Sequence, residues 1–401
     1  MSSAAWRTAR RSTCPSLALL MGVVACSTQE STDSALASVI VSSDDIYVVG
    51  TSTSIALIED IMPAADGAAW VLTSTDPFLV LLSQEGEELR VTGARGGGPG
   101  ELSWPTTLAR DPVTGVVVVY DAALGRLLPA DHEEQDAPFA QAAASSGPIR
   151  LNSYEYLWTN NGGRTWIEGT ESGFVFAEPT PAIPWISSLW STEVVRLMPN
   201  GETRRLVSTA ELVGDSSTRF PGARRFLPYP IWTACPDGSL AVYDPNENLL
   251  RRLSADGEAL KTHQLPPERR VDMTAERVFA TVYPGILRNR LMADPPERDV
   301  LYDAFRRDYS NRADEFATVF PEYVHLDCSS PDTLWLQLFD SGGGQMGRGP
   351  RWLRVSSDGD IGTVDFPGTF RPMQFHEGRI WGIHTGEFDV EYVAWTELGE
   401  Q

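Results

Sequence analysis

Lysine is almost absent from this sequence of 401 residues. Lys261 is the single lysine among 32 basic residues, and we interpret this scarcity as a bias of composition rather than as chemistry. The glycine run Gly96–Gly100 lacks the Lys-Ser/Thr pair of a phosphate-binding loop, and no helix is expected after it. The run therefore predicts a turn that links two sheets.

The sequence also lacks the local motifs of hydrolytic enzymes. No G-x-S-x-G nucleophile elbow is found, and none of the five histidines lies in an HExxH or His-x-His pattern, so there is no local zinc signature. His325, His376 and His384 could converge as metal ligands in the last two repeats described below. Ordinary packing or surface positions are the favoured interpretation. We predict no catalytic residue and no metal ligand.

The N-terminal apolar run is too short to cross a membrane. Ser16–Ala25 contains ten residues, against about 20 for a bilayer. It follows a basic segment with Arg10 and Arg11 and ends in a small residue before Cys26, as secretory signals do. Val23–Cys26 resembles the lipobox of bacterial lipoproteins, which implies lipidation of Cys26. The alternative is an ordinary signal peptide with an incidental cysteine.

These features predict how the N-terminus is organised and where the protein resides. Residues 1–25 are expected to be a lipoprotein signal peptide and residues 26–35 a flexible tether. Ser27, rather than an aspartate, follows the cysteine. By resemblance to enterobacterial sorting, this implies the outer membrane. We expect an exported protein that is lipid-anchored to the cell envelope.

The chain after the signal is strongly acidic. Residues 1–25 hold three arginines and no acidic residue, so 29 basic (32 − 3) and 54 acidic side chains remain, a formal charge of −25. Such a charge opposes binding to nucleic acid and to anionic lipid. We expect no nucleic-acid partner, and contact with the membrane only through the lipid anchor.

Two cysteines remain once Cys14 has left with the signal and Cys26 is acylated. Cys235 and Cys328 occupy matching places in the repeats, each just before a turn. In an oxidising compartment they could pair, or they could be buried thiols that behave as small apolar side chains. Both alternatives stay open.

One pattern recurs along the chain: turn residues that end in glycine or an equivalent, then a short β-rich run. Six copies begin at Ala65, Val113, Asn161, Pro236, Ser330 and Glu377. A second turn follows several copies, so that Gly86 comes 19 residues after Gly67 and Gly257 comes 19 after Gly238. Asp-Gly and Asn-Gly pairs favour hairpins because glycine accepts positive φ.

Each repeat therefore predicts four antiparallel strands in about 40–50 residues, which is typical of the blades of a β-propeller. A single such sheet cannot bury both faces, so the sheets must stack around an axis. We predict an all-β fold with six four-stranded blades over residues 36–398. The last repeat has room for only three strands, and we expect Ala37–Val41 to supply its outer strand and close the ring.

One long gap in the repeat predicts a helical insertion between blades four and five, at about residues 272–311. Helix starts are expected at Thr274 and at Pro295, where a proline in the first turn precedes an apolar stripe.

Two repeats carry a specific resemblance. Gly93–Leu102, Trp104-Pro105, Leu108–Asp111 and Val117–Asp121 resemble the NHL repeat, as do Tyr229-Pro230 and Leu240–Asp244. The chain looks closer still to six-bladed propeller lipoproteins related to that repeat. The region from Gly169 to Thr192 departs from the pattern, which leaves five or seven blades open.

An aromatic residue stands just before the inner strand of five repeats. These residues are Trp104, Tyr154, Tyr229, Tyr323 and Phe370. Equivalent positions in a ring form a circle near one mouth of the central channel, where aromatic rings could stack on sugars or grip a peptide. The alternative is packing between blades.

Carboxylate and amide groups near strand ends form a second set of candidates: Asp60, Asp111, Asn160, Asp244 and Asp327. Propeller lactonases hold calcium with such groups, and the resemblance implies calcium as a cofactor to be tested. A site would need residues that break the repeat, however, and these follow it. We therefore favour turn-capping roles and predict no cofactor.

The sequence thus predicts a membrane-anchored extracytoplasmic propeller that binds a protein, peptide or carbohydrate at the channel mouth. The alternative is a metal-dependent propeller hydrolase or lyase with its site in the central channel. A purely structural component of an envelope assembly is a third hypothesis.

Overall fold

The structure is a computed structural model, and the chain divides into two units, Met1–Ala35 and Leu36–Gln401. The structure describes residues 37–49, 55, 57–111, 114–121, 123–131, 167–170, 173–179, 192–197, 202–208, 231–245, 247–266, 271–282, 295–311, 319–320, 322–340, 348–376 and 378–398. All of them belong to the second unit. Within them, no helix is both long enough and apolar enough to cross a membrane.

The described strands, numbered in chain order, form six sheets. Sheet 1 contains β3 (Ile58–Pro63), β4 (Ala69–Thr73), β5 (Leu79–Leu82) and β6 (Glu88–Thr92). Sheet 2 contains β7 (Pro105–Arg110), β8 (Val117–Asp121) and β9 (Arg126–Pro129). Sheet 3 contains β10 (Ile167–Thr170), β11 (Gly173–Pro179), β12 (Thr192–Leu197) and β13 (Thr203–Ser208).

The other three sheets also follow one another along the chain, and two of them include an N-terminal strand. Sheet 4 contains β14 (Ile231–Ala234), β15 (Leu240–Asp244), β16 (Leu249–Leu253) and β17 (Ala259–Gln264). Sheet 5 contains β18 (Tyr323–Ser330), β19 (Thr333–Phe339), β20 (Arg348–Ser356), β21 (Ile361–Asp365) and the N-terminal β1 (Ala37–Ile40). Sheet 6 contains β22 (Phe370–His376), β23 (Arg379–Thr385), β24 (Glu391–Glu397) and the N-terminal β2 (Tyr47–Val48).

The first strands of neighbouring sheets contact one another in cyclic order: β3 with β7, β7 with β10, and so on through β14, β18 and β22 back to β3. The prediction of an all-β propeller is therefore confirmed. The predicted set of six four-stranded blades is not what the described residues show. Five sheets have four or more strands, and sheet 2 has three.

Apolar side chains are buried between the sheets, as the ring geometry requires. Tyr243 of sheet 4 and Leu336 of sheet 5 belong to one buried cluster, and Trp335 of sheet 5 and Ile380 of sheet 6 belong to the next. A third cluster joins sheet 6 to sheet 1. Further clusters join sheet 1 to sheet 2 and sheet 3 to sheet 4. Burial of apolar faces between neighbouring sheets is the main stabilising term of the fold.

The ends of the ring are defined by the strand order. The first strand of each sheet starts at what we call the upper end, and the turn to the second strand lies at the opposite, lower end. The glycines predicted to form lower turns do so. Gly238 has φ 82° and Gly257 has φ 85°, and Gly238 N donates to Cys235 O at 2.8 Å.

Ring closure differs from the expectation. Ala37–Ile40 does not supply the outer strand of the last sheet; it pairs in parallel with β21 and becomes the fifth strand of sheet 5. The outer strand of sheet 6 is β2, which pairs antiparallel with β24. Tyr47 fixes it by stacking on Trp395, with ring centroids 4.4 Å apart. The N-terminal segment therefore covers the outer edges of two sheets rather than one.

Two helices lie between β17 and β18. Helix α1 covers Ala275–Val282, and α2 covers Pro295–Asn311. Thr274 Oγ1 accepts a hydrogen bond from Arg277 N at the start of α1. Phe279 of α1 packs against Tyr302 and Phe305 of α2, with ring centroids 5.0 and 5.4 Å apart.

Cys235 and Cys328 form a disulfide, with their Cα atoms 5.1 Å apart. The bond joins the lower ends of β14 and β18, the first strands of sheets 4 and 5. Of the two alternatives that the sequence left open, the paired one is present.

Candidate functional site

Trp104 stands exposed at the upper end, where the loop from sheet 1 enters sheet 2. Its side chain is 53% exposed, but its backbone is tightly held. The buried carboxylate of Asp121, at the upper end of β8, accepts hydrogen bonds from Ser103 N at 2.8 Å and from Trp104 N at 3.1 Å. Leu124 N donates to the same carboxylate, and the Leu124 side chain is also exposed.

The glycine run in this loop is organised by the chain's own side chains. Gly98 N donates to Glu101 Oε2 at 2.8 Å, and Arg126 donates to Gly98 O at 3.3 Å and to Glu101 O at 2.6 Å. A Cβ atom on Gly96 would overlap the Glu101 carboxylate. An internal carboxylate therefore occupies the place that an anion would take in a phosphate loop. This arrangement is the inter-sheet turn that the sequence predicts.

The other aromatic candidates are placed differently. Tyr323 is 1% exposed and packs edge-on against Tyr243, with ring centroids 4.9 Å apart. Phe370 is 3% exposed and lies 5.7 Å from Phe366. Both rings lie between sheets rather than at a channel mouth beside Trp104. Tyr154 and Tyr229 lie outside the described residues.

Three of the carboxylate candidates bind their own backbone or neighbouring side chains. Asp60 accepts from Ile61 N at 2.9 Å and, across the gap to sheet 2, from Leu108 N at 2.9 Å. Asp111 accepts from Thr114 N in a lower turn. Asp244 pairs with Arg251 at 3.1 Å. Asp111 and Asp244, which accepts from Glu247 N, have the turn-capping role that the sequence favours. Asp60 instead joins two sheets. Asn160 lies outside the described residues.

Asp327 is the exception among the carboxylates. It lies on β18, the innermost strand of sheet 5, and is 5% exposed. Burial raises the pKa of Asp327 to about 7. A buried carboxyl group with a pKa near neutrality is the kind of group that can give or accept a proton in catalysis.

Two further polar side chains share this face of sheet 5. His325 lies two residues before Asp327 with no bulge between them, and Gln337 lies opposite His325 on β19. Both are buried, and the His325 ring stands edge-on to Trp352 at 5.5 Å. The sequence does not single out Gln337, because only the strand register places it beside His325.

Metal ligands do not come together in the part of the chain that the structure describes. No group of three or more His, Cys, Asp or Glu side chains there is arranged to hold an ion. His384 lies beside Tyr392, on the second strand of sheet 6, whereas His325 is on the first strand of sheet 5. The converging imidazoles considered from the sequence are therefore not found among these residues.

Comparison with known proteins gives similarities of fold only. No protein family matches the chain, and no curated protein is similar to it. A gluconolactonase from Xanthomonas campestris has a TM-score of 0.42 and 12% identity, covering 88% of this chain and 89% of its own. The virginiamycin B lyase of Staphylococcus aureus gives 0.37 and 11%, covering 88% of each chain.

An exported protein of Bacteroides fragilis gives a TM-score of 0.45 and 11% identity, covering 90% of this chain and 99% of its own. Nothing about a ligand or a reaction follows from similarities of this size.

Proposed function

We propose that this chain is a membrane-anchored, extracytoplasmic propeller that binds a protein, peptide or carbohydrate at the upper end of the ring. The observation that carries the proposal is Trp104. Its indole is exposed, yet Asp121 and the Glu101–Arg126 contacts fix the loop beneath it. A large rigid ring, held in place before the ligand arrives, loses little conformational freedom on binding. Leu124, whose backbone N–H donates to the same carboxylate, is a second exposed apolar side chain at this end.

Export and anchoring are parts of the same proposal. The basic segment and apolar run before Cys26 support cleavage there and lipidation of the new N-terminal cysteine. Ser27 supports the outer membrane as the destination. Labelling cells with a clickable fatty acid should mark the wild-type protein and leave Cys26→Ser unmarked. Labelling of both proteins, or of neither, would contradict lipidation at Cys26.

We further propose that the ring has six blades, with sheet 2 counted as a blade. The cyclic contacts of the six first strands support this number. On this count, helices α1 and α2 form an insertion between blades four and five.

The binding proposal is tested by replacing the exposed indole. Trp104→Ala should weaken the binding of a ligand selected from immobilised peptides and oligosaccharides by roughly 5- to 30-fold, the usual cost of removing an interface aromatic. The melting temperature should stay close to wild type, because the ring is not in the core. Leu260→Ala is the matched control: this side chain is similarly exposed, at 58%, on the outer strand of sheet 4.

Unchanged binding in Trp104→Ala, or a large fall in its stability, would contradict the proposal. The first result would place the ligand elsewhere, and the second would assign the indole to packing.

A second candidate function is supported by Asp327. A hydrolase or lyase with its site in the channel would use a proton-carrying group on an innermost strand, and Asp327 is such a group. Metal analysis of the purified protein separates the two functions. Stoichiometric calcium or zinc would favour the enzyme, and its absence together with Trp104-dependent binding would favour the binding protein.

A further inference from the structure

A pocket of about 490 Å³ lies at the lower end, between sheets 1 and 2, on the opposite side of the ring from Trp104. Its apolar wall includes Trp70, Leu81 and Val117, and its rim carries the carboxylates of Asp66, Glu85 and Asp131. The volume lies within the range of small-ligand sites. In sheets 3 and 4, the equivalent gaps at the lower end are filled by arginine side chains.

The third strands of the sheets can be aligned on the glycine of the turn that follows them. Five residues before that glycine stand Leu81 in sheet 1, Arg196 in sheet 3 and Arg252 in sheet 4. The strand register supports the alignment. Leu81 pairs with Arg90, Arg196 with Arg204, and Arg252 with Lys261, each on the fourth strand of its sheet.

The two arginines on third strands fill the gap to the next sheet. The Arg196 guanidinium is buried and donates to Gly238 O and Ala255 O of sheet 4. The Arg252 guanidinium donates to Pro331 O of sheet 5 and pairs with Asp237 at 2.9 Å. In each case one guanidinium occupies the space between two lower turns and satisfies carbonyl oxygens there.

The cations on fourth strands also cross to the next sheet, and sheet 1 retains this contact. Arg204 pairs with Asp256 of sheet 4, and Lys261 donates to Ser357 O of sheet 5. Arg90 of sheet 1 pairs with Asp131. Sheet 1 therefore departs from the pattern at one position: it has Leu81 where sheets 3 and 4, and also sheet 5 with Arg354, have an arginine.

The pocket lies where that guanidinium would be. Asp66 corresponds to Asp237, because each precedes the glycine of its lower turn. Asp237 is partly covered by Arg252, whereas Asp66 is exposed. Arg110, on the pocket wall, uses its guanidinium on Pro63 O and Gly115 O. An apolar wall with the carboxylates of Asp66 and Glu85 at its rim suits an alkyl chain that ends in a planar cation.

We propose that this pocket binds an arginine side chain of a partner peptide, which supplies the contacts that Arg252 makes in sheet 4. The carboxylates of Asp66 and Glu85 take the guanidinium, and Trp70, Leu81 and Val117 receive the alkyl part. The formal charge of the chain, −22, steers cationic partners toward it. The site is separate from the proposed ligand site at Trp104.

The first test compares two probes of the same shape. N-acetylarginine methylamide and its citrulline counterpart, which is neutral, are titrated into the full chain at low ionic strength and followed by NMR or calorimetry. The arginine probe should bind at least about tenfold more tightly than the citrulline probe, because only a charged guanidinium forms charge-assisted hydrogen bonds. Equal binding of the two probes, or binding of neither, would overturn the proposal.

Charge removal locates the site. Asp66→Asn and Glu85→Gln should each weaken the arginine probe by about two- to fivefold, the range of exposed ion pairs. Asp256→Asn is the matched control, since Asp256 holds in sheet 4 the turn position that Glu85 holds in sheet 1. An equal effect in the control would mean general charge attraction and would overturn the proposal.

A third variant fills the pocket from within. Leu81→Arg supplies the missing guanidinium and should abolish binding of the arginine probe while circular dichroism stays that of the wild type. If a folded Leu81→Arg protein binds the probe as tightly as wild type, the proposal is wrong. If this variant fails to fold, the Asp66→Asn and Glu85→Gln titrations decide.

Discussion

Replacing Asp327 with asparagine should make the protein more stable above neutral pH and change its dependence on pH. The carboxyl group titrates near 3.8 in a model compound and at about 7 in the folded chain. This difference means that the folded state destabilises the charged form of Asp327 by about 4 kcal/mol. Asparagine has nearly the same shape and is neutral at every pH, so it removes this cost.

The sign follows from proton binding. The folded state holds a proton on Asp327 that the unfolded state has already released between about pH 4 and pH 7. The free energy of unfolding therefore falls as pH rises through this window and levels off above it. Between pH 5 and pH 8, the loss attributable to Asp327 is about 2.5 kcal/mol.

The assay is equilibrium unfolding in urea at pH 5 and pH 8, without reductant so that the disulfide stays intact. The stability difference between Asp327→Asn and wild type should be larger at pH 8 by about 2.5 kcal/mol. Using the difference between variants cancels the titration of all other groups. Asp332→Asn, at an exposed position of the same sheet, is the control and should keep the wild-type pH dependence. An equal difference at both pH values would refute the claim that Asp327 is buried and protonated.

Two further predictions concern the ring itself. Replacing both Cys235 and Cys328 with serine should lower the free energy of unfolding by about 4–5 kcal/mol, because the disulfide closes a loop of 93 residues. Denaturant unfolding with and without reductant measures this loss. A wild-type stability that reductant does not change would contradict the prediction. Tyr47→Ala should lower the free energy of unfolding by about 1 kcal/mol, because the stacking on Trp395 is lost. Leu260→Ala, at a similarly exposed position, should lower it by less. Equal losses in the two variants would mean that β2 does not hold the ring closed.

The sheets and turns could be predicted from the sequence because their signals are local. Asp-Gly and Asn-Gly turns indicate where hairpins reverse, and the alternation of turns and β-rich runs indicates about four strands in each repeat, although sheet 2 has three described strands and sheet 5 has five. The sequence assigns Ala37–Val41 to the last sheet, where Tyr47–Val48 lies instead. Both segments are short, and neither carries a local signal for its partner strand. Which edge each one covers depends on contacts with β21 and β24, far along the chain.

The predicted circle of aromatic residues shows that a shift of one residue relative to the start of the strand decides whether a ring is exposed or buried. Trp104 comes before β7, which starts at Pro105, so its ring stands on the loop and remains exposed. Tyr323 and Phe370 are themselves the first residues of β18 and β22, and their rings turn into the gaps between sheets. The sequence aligns the three positions, but strand boundaries are not resolved to a single residue by turn patterns alone.

Departures from the internal repeat separate functional candidates from structural residues. A residue needed for folding should recur at its equivalent positions, because every sheet solves the same packing problem. Asp327 precedes Cys328, and Ala234 precedes Cys235 in sheet 4, so the buried carboxyl group stands where sheet 4 has a methyl group. Leu81 stands where three other sheets place an arginine, namely Arg196, Arg252 and Arg354. Neither departure improves the local structure: one buries an ionisable group at a cost, and the other leaves Asp66 without the guanidinium that pairs with its counterpart Asp237. Both are explained if Asp327 on the innermost strand of sheet 5 handles a proton and the gap beside sheet 1 receives a cation from outside.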